Sequence, residues 1–313
     1  MKIITLTMNP VVDISSSVSH VIVERKLRCD TPIYEPGGGG INVARAIRKL
    51  GGEAAAVYPA GGLTGELLRG LLDKEGLQHH CIPITGMTRE SFTVLETATG
   101  QQYRFGMPGP TIKEEECQKC LDVLEEKAST AEYIVASGSL PPGVGEDFFV
   151  RVAHIAAKSG ARLVVDTSGE ALRRAMEVGT FLLKPNLREL SELAGEEIQD
   201  ETRQEEVAMG IIKTGKCRAV VASLGAAGVL LATKEGVERI RSPLVPIVSK
   251  VGAGDSTVAG TVLSLARKRP LKEAVRFGVA AGAAAVMTPG SELCRREDVE
   301  RLYRQIVTGT GDS

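Results

Sequence analysis

Residues 133–168 read YIVASGSLPPGVGEDFFVRVAHIAAKSGARLVVDTS: a β-branched run, an amphipathic run closed by Gly160, and a second β-branched run. Strand, crossover helix and strand in that order place the two strands parallel in one sheet. The same rhythm extends outward in both directions. Further strands are expected at IITLTM (3–8), AAAVYPA (54–60), FLLKPN (181–186), AVVASLG (219–225) and GVLLAT (228–233). Helices are expected at TGELLRGLLDKEG (64–76) and LRELSELAG (187–195), several of these elements ending on glycine as a C-cap does. The last third reads as two long helices, about 253–268 and 271–287, and a C-terminal helix at 296–307. The fold class is therefore α/β, a mostly parallel central sheet with helices on both faces.

Two segments, 12–36 and 88–107, break this rhythm. The second is a hairpin, SFTVLETA and QQYRFGM around Thr99-Gly100, with no crossover helix between its strands. Paired with each other, the two segments predict a small antiparallel β-sheet lid outside a main domain of residues 1–11, 37–87 and 108–313. An isolated small sheet leaves one face bare, so that face is expected to pack on a second subunit and make a homodimer.

Composition narrows the partners. The chain has 313 residues, 43% hydrophobic and 25% charged, and its 38 basic and 39 acidic residues leave a formal charge of −1. Such a balance provides no field to gather nucleic acid or an anionic membrane, so anion binding must be local. The N-terminal apolar run soon meets Asn9-Pro10 and Asp13, too short for a signal-peptide core, and no stretch reaches the roughly 18 apolar residues of a membrane span. A cytoplasmic location is expected. The six scattered cysteines suit a reducing compartment, and Cys117-x-x-Cys120 falls inside the helical run KEEECQKCLDVLEEK, where buried thiols are expected. Residues 308–313 read as a disordered polar tail.

Chemistry concentrates in VGAGDSTVAG, residues 251–260. Gly252, Ala253 and Gly254 precede Asp255, and an apolar helix begins at once, so the backbone N–H groups of 253–255 form an anion hole at a helix N-terminus. A capping or dipole role would also put an aspartate there, but it would not need Gly-Ala-Gly before it. A second glycine run, EPGGGGINVARAIRKLGG (35–52), opens a helix: Gly38 and Gly39 let a ligand touch the backbone, and Asn42 offers an amide to sugar hydroxyls. The run follows the expected lid strand, and no acidic residue ends a second βαβ strand about 20 residues on, so it is not a dinucleotide fingerprint.

Lys184-Pro185-Asn186-Leu187-Arg188-Glu189 lies where a strand ends and a helix begins, the edge at which open α/β sheets bind ligands. Asn186 and Glu189 either hold a hydrated Mg²⁺ through water or form a capping box. Ser223, Gly225 and Gly228 make a glycine turn suited to ATP phosphates or ribose, or a plain hairpin turn. Asp13 follows the first strand, and Lys26, Arg28, Arg89 and Arg104 concentrate in the lid, a set matched to a dianionic phosphate. The run from Gly210 to Cys217 resembles a phosphate loop, but it lacks the Ser or Thr that would hold magnesium and precedes its strand, so it reads as a helix end. The adjacent His79 and His80 have no metal-ligand spacing and read as surface residues.

GGGGINVARAIRKLGG, KPNLREL and VGAGDSTVAG, in this order, closely resemble the ribokinase-like (PfkB) sugar kinase family, over essentially residues 1–307. Within it, TLTMNPVVD, KLRCDTPIYEPGGGGINVARAI, QYRFGMPG, SGSLPPG and VRFGVAAGAAA are most similar to the minor-isozyme type of bacterial 6-phosphofructokinase, a pattern shared in much by tagatose-6-phosphate kinases and 1-phosphofructokinases. The resemblance implies a ribokinase-like fold and transfer from Mg-ATP to a phosphosugar hydroxyl, with Asp255 as the base. It implies that Asp13, Gly38, Gly39 and Asn42 grip the sugar, and that Ser139 lies beside a phosphate held by Lys26, Arg28, Arg89 and Arg104. Lys184, Asn186, Ser223, Gly225 and Gly228 would meet ATP, and Asn186 and Glu189 would position magnesium. A K⁺ site of backbone carbonyls would fall at Ser249, Val251, Ala285, Thr288 and Gly290. Thr257 departs from the larger apolar residue usual there, at a position that faces the core.

Overall fold

In the computed structural model, which describes residues 2–309, the chain runs β1 (Ile3–Leu6), β2 (Val11–Val18), β3 (Ile33–Gly37), α1 (Gly39–Lys49), β4 (Ala55–Ala60), α2 (Gly62–Lys74), β5 (Gln78–Pro83), β6 (Arg89–Glu96) and β7 (Gln102–Gly106). It continues through α3 (Glu114–Ala128), β8 (Tyr133–Ser137), α4 (Phe148–Ser159), β9 (Arg162–Asp166), α5 (Gly169–Glu177), β10 (Thr180–Leu183), α6 (Leu187–Ala194) and α7 (Glu201–Lys213). The last elements are β11 (Cys217–Ser223), β12 (Val229–Thr233), β13 (Gly236–Ile240), α8 (Ala253–Ala266), α9 (Leu271–Ala285) and α10 (Arg296–Thr308).

The large sheet has the order β13-β12-β11-β10-β9-β8-β1-β4-β5, parallel from β11 to β5 and closed at one edge by the antiparallel pair β12 and β13. Its central strands are apolar on both faces, as a sheet covered by helices requires, while the edge strands β5 and β13 are more polar. Period-2 alternation sends Ile3, Tyr133, Val135, Val164 and Leu182 into one core with α1, α8 and α9. The alternate residues Ile4, Ile134, Ala136, Val165 and Leu183 enter the other core, with α3, α4 and α7. The order reverses between β1 and β8, and at such a reversal the loops leaving the strand ends part and open a crevice.

The segments that broke the rhythm form a second sheet, β3-β2-β6-β7. β2–β3 and β6–β7 are antiparallel, while β2 and β6, which join the two segments, run parallel. Register sorts its residues into rows. Glu35, Asp13, Ser91 and Gly106 lie abreast, as do Ile33, Ser15, Thr93 and Arg104, and both rows line a cleft. Tyr34, Ile14, Phe92 and Phe105 form an intervening row, on the opposite face of the pleat.

Several elements were missed in the sequence. Strand β5 contains His79, which is not a surface residue: its side chain is only 12% exposed, with ring nitrogens 3.0 Å from Tyr58 Oη and 3.0 Å from Asp73. Cys117 and Cys120 are buried on α3. The stretch resembling a phosphate loop is the end of α7 and its turn into β11. Among the described residues no helix is long and apolar enough to cross a membrane. Thr308 ends α10, and residues 310–313 of the expected tail lie outside the described residues.

Candidate active site

Helix α8 is buried from Ser256 to Ala266, its first turn is half-buried, and Gly252, its N-cap at φ 73°, supplies the left-handed turn that aims it. The first intrahelical bond is Ser256 N–H to Gly252 O at 2.8 Å, so the N–H groups of 253–255 precede it and have no acceptor within the helix. Asp255 occupies this first turn. Its Oδ2 accepts from Asn42 Nδ2 at 2.9 Å, which joins the two glycine-led helices α1 and α8 at their starts. Burial, and then the charge of Asp166, push the Asp255 carboxyl up to about 7, against the Asn42 hydrogen bond and the Lys184 charge.

Behind the helix terminus, Lys184 is buried with its Nζ 3.1 Å from Asp166. A Cβ on Gly254 would lie 3.3 Å from that Nζ, so glycine lets the ammonium approach the anion hole closely. Burial works against the Lys184 charge, but Asp166, Glu189 and Asp255 together outweigh it and raise the ammonium's pKa. Asp166 ends β9 at the same sheet edge, a placement visible in RLVVDTS but not singled out there.

A cleft of about 750 Å³ opens between α8 and the small sheet, lined among others by Asp13, Gly38, Asn42, Arg89, Arg104 and Asp255. Asp13 is raised to about 6, by burial first, against the opposing charge of Arg89. Its carboxylate fills the space over Gly37, where a Cβ would come within 2.2 Å of Asp13 Oδ2. Arg89 donates to Asn9 O at 3.1 Å and Met107 O at 3.2 Å, and its Nε is buried without a partner. Asn9, also missed in the sequence, donates through Nδ2 to Ser139 Oγ at 3.1 Å, so that Ser139 and Arg89 share it as a partner.

Of the expected sugar-site residues, Lys26, Arg28, Gly39 and Ser139 are not among those that line the cleft of the single chain. Lys26 and Arg28 lie exposed on the 19–32 connection between β2 and β3, outside the cleft lining, because this long surface loop has no strand pairing to turn it inward. Gly39 packs closely on β8, where a Cβ would meet Ser137 Oγ at 2.3 Å.

At the sheet edge after β10, Asn186 and Glu189 form the capping box. Asn186 Oδ1 accepts from Glu189 N at 2.9 Å, and Glu189 Oε2 accepts from Asn186 N at 2.8 Å. Glu189 is nevertheless raised, by burial and by Asp166. Ser223 donates to Pro185 O, and Gly225 to Ala227 is a short 3-10 turn joining antiparallel β11 and β12. Gly228 is required by packing, because a Cβ would meet Ile240 O at 2.1 Å. Beyond α9, Ser249, Val251, Ala285, Thr288 and Gly290 draw together: Ser249 Oγ donates to Gly290 O at 2.9 Å, Val251 N donates to Ser249 Oγ at 3.2 Å, and Thr288 Oγ1 donates to Ala285 O at 2.8 Å.

An ATP-dependent 6-phosphofructokinase isozyme 2 of Mycobacterium tuberculosis is 49% identical over 302 residues, 96% of this chain and 89% of the relative. A 1-phosphofructokinase of Bacillus subtilis is 33% identical over 304 residues, 97% of this chain and 98% of the relative. The crystal structure of Escherichia coli phosphofructokinase-2 in complex with potassium matches with a TM-score of 0.94 at 43% identity, covering 98% of this chain and 99% of that one. The sequence pattern of the pfkB family carbohydrate kinases matches residues 4–298. With a helix-terminus anion hole facing a buried carboxylate at the reversal of a parallel sheet, the chain belongs to the pfkB family of carbohydrate kinases.

Proposed function

We propose that this protein transfers the γ-phosphoryl group of ATP to the free primary hydroxyl of fructose 6-phosphate, giving fructose 1,6-bisphosphate and ADP. The observation that carries this reading is the span of one cleft. Asp255 and the unsatisfied N–H groups of 253–255 stand at one end, and Arg89 and Arg104 stand on the lid face beyond Asp13. That layout suits a substrate with a hydroxyl at one end and a dianion at the other. The higher identity to the 6-phosphofructokinase than to the 1-phosphofructokinase favours phosphate at carbon 6 in the acceptor.

In the reaction, Asp255 accepts the proton of the attacking hydroxyl, the sugar oxygen bonds to phosphorus, and the bond to the β,γ-bridging oxygen breaks. The N–H groups of 253–255 and the Lys184 ammonium receive the charge that builds on the transferred group. Asp13 and Asn42 orient the sugar, and Arg89, Arg104 and Ser139 hold its phosphate. The strand ends at Lys184, Asn186, Ser223, Gly225 and Gly228 form the nucleotide edge.

Asp166, Glu189 and Asp255 set three carboxylates around one ammonium, Lys184, and this surplus of negative charge fits Mg²⁺. Asn186 and Glu189 would hold that ion through water, and it supplies charge neutralisation of the phosphates. The Ser249 to Gly290 carbonyls fit K⁺: Ser291 Oγ in the same loop is buried without a partner. The outer lid row supports a homodimer through the lid, since Tyr34, Phe92 and Phe105 are 44%, 37% and 52% exposed. Six unpaired cysteines accord with a cytoplasmic setting.

The test is a panel of fructose 6-phosphate, fructose 1-phosphate, tagatose 6-phosphate and unphosphorylated fructose with Mg-ATP, read by ADP release and product identity. Fructose 6-phosphate should give the highest kcat/KM. Preference for fructose 1-phosphate or tagatose 6-phosphate would replace the substrate, and no ADP release with any sugar would leave a non-catalytic sensor of these ligands.

A further inference from the structure

Arg45 lies on α1 one turn after Asn42 and is only 2% exposed, yet no step above uses it. Its guanidinium reaches four separate parts of the molecule. Nε and Nη2 donate to Glu75 at the end of α2, at 2.9 and 2.7 Å. Nη1 donates to Pro36 O on lid strand β3 at 2.8 Å, to Ser291 O in the loop after α9 at 3.1 Å, and to Asn42 Oδ1 at 3.4 Å. Glu35, also on β3, stands 3.8 Å from Nη2 and accepts from Ser291 N at 2.8 Å. The planar fork of arginine suits this convergence; a lysine ammonium has three donors around one point and cannot span it.

We propose that Arg45 is a positioning residue that fastens the root of the lid, the 289–291 loop and the Asn42 amide into one unit, so that Asp255 is aimed by the same group that anchors the lid. The inference rests on Asp255 being the base. Its physical content lies in the Asn42 amide, whose two ends are nearly the same shape. With Oδ1 toward Arg45, Nδ2 must face Asp255, to which it donates at 2.9 Å. Without the guanidinium the amide is free to turn and present its oxygen to a carboxylate, which repels it. The lid root and the 289–291 loop would loosen together, since Pro36 O and Ser291 O share one donor.

Arg45→Lys and Glu75→Gln test this in the full-length protein, beside the wild type and Asp255→Asn. Glu75 is 31% exposed in its side chain, so its variant opens no void and keeps a folded control if Arg45→Lys does not fold. Arg45→Lys should lower kcat roughly tenfold to a hundredfold with KM for Mg-ATP changed by less than about twofold, and Glu75→Gln should act in the same direction and less.

The acid limb of kcat/KM separates positioning from general damage. The groups facing Asp255 are Asn42 from α1, Asp166 from β9, Lys184 after β10 and Asp13 from β2. Of these the Asn42 bond passes through Arg45, and Asp13 also feels the Arg45 charge, which Arg45→Lys keeps. That bond lowers the Asp255 pKa, so loosening it should raise the pKa and move the limb to higher pH in both variants. Wild-type kcat and an unmoved limb in a folded variant overturn the proposal, and so does a fall in kcat with the limb unmoved, which would mark a smaller fraction of intact enzyme. If Arg45→Lys does not fold, the same two readings on Glu75→Gln decide. An active wild type with an inactive Asp255→Asn and unaffected Arg45 and Glu75 variants sinks this inference alone; a turning-over Asp255→Asn sinks the base assignment with it.

Discussion

The two ends of the cleft are built differently. The end proposed to hold the base rests on α8, buried from Ser256 onward, with Asp255 held by Asn42 and the Lys184–Asp166 pair close by. The end proposed to take the phosphate rests on a four-stranded sheet whose far face carries Tyr34, Phe92 and Phe105 half in water. One end is rigid because every neighbour is packed. The other draws its order from a few hydrogen bonds, such as those fixing Arg89 to Asn9 and Met107. Preorganisation should therefore matter to turnover at the first end and to substrate capture at the second.

The sharpest way to break that contrast is at the base. Asp255→Asn keeps the shape and removes the acceptor, so kcat should fall by about 10² to 10⁴ while nucleotide affinity, measured by equilibrium dialysis, stays near wild type. A variant that loses ATP binding along with turnover would make Asp255 part of the nucleotide site and erase the division of labour.

Why the base end was legible in the sequence follows from the same contrast. VGAGDSTVAG carries its meaning locally, because a glycine turn and the helix it opens are made by contiguous residues. The parallel sheet was legible because period-2 alternation between two covered faces leaves nearly continuous apolar strands. Three kinds of residue escaped. Asp166 and Asn9 act through partners on distant strands, Lys184 and Ser139, and look like ordinary strand-end polar residues in sequence. Arg45 sits on the core side of α1, and a lone charge in an apolar helix stripe was the available signal. Lys26 and Arg28 were grouped with Arg89 and Arg104 by their presence in the lid segments, but only the two residues on strands face the cleft. The strand β5 was hidden by QHHC, since polar edge strands lack the apolar run of central ones. The small sheet's parallel β2–β6 pair was not foreseen either, because two hairpins can join by either edge and no local residue decides which.

The phosphate end is probed by Arg89→Met and Arg104→Met. Each removes a charge-assisted contact worth about 1.5 to 3 kcal/mol, so kcat/KM for fructose 6-phosphate should fall about ten- to hundredfold. The loss should appear in KM for the sugar, with KM for ATP unchanged in steady-state assays. Arg89→Met should cost more, because the Nε of Arg89 is already buried without a partner and its other nitrogens are fixed to backbone, whereas Arg104 is exposed. A fall confined to kcat would mean that the lid arginines act in the chemical step, and the two ends would no longer differ in kind.

The smallest effect is expected where the base end is fixed from behind. Helix α9 approaches α8 through Gly278 and Gly282, and a Cβ on Gly282 would sit 2.2 Å from Thr257 Oγ1 and 3.1 Å from Ala253 O. Thr257 Oγ1 donates to that same Ala253 O at 2.9 Å, so the hydroxyl and the missing methyl occupy one gap behind the anion-hole turn. Gly282→Ala must turn the threonine off its bond or push the helices apart, an overpacking cost of about 1 to 3 kcal/mol in the thermal or denaturant midpoint. Turnover should fall by only a few-fold, about 1 kcal/mol or less, because the turn is still held by Ser256 N–H and Gly252 O. The double variant Gly282→Ala with Thr257→Ala refills the gap with carbon and should recover most of the lost stability, a non-additivity that marks direct contact. Additive losses would place the strain elsewhere along α9, and the rigidity of the base end would then need a source other than this pairing of glycine with threonine.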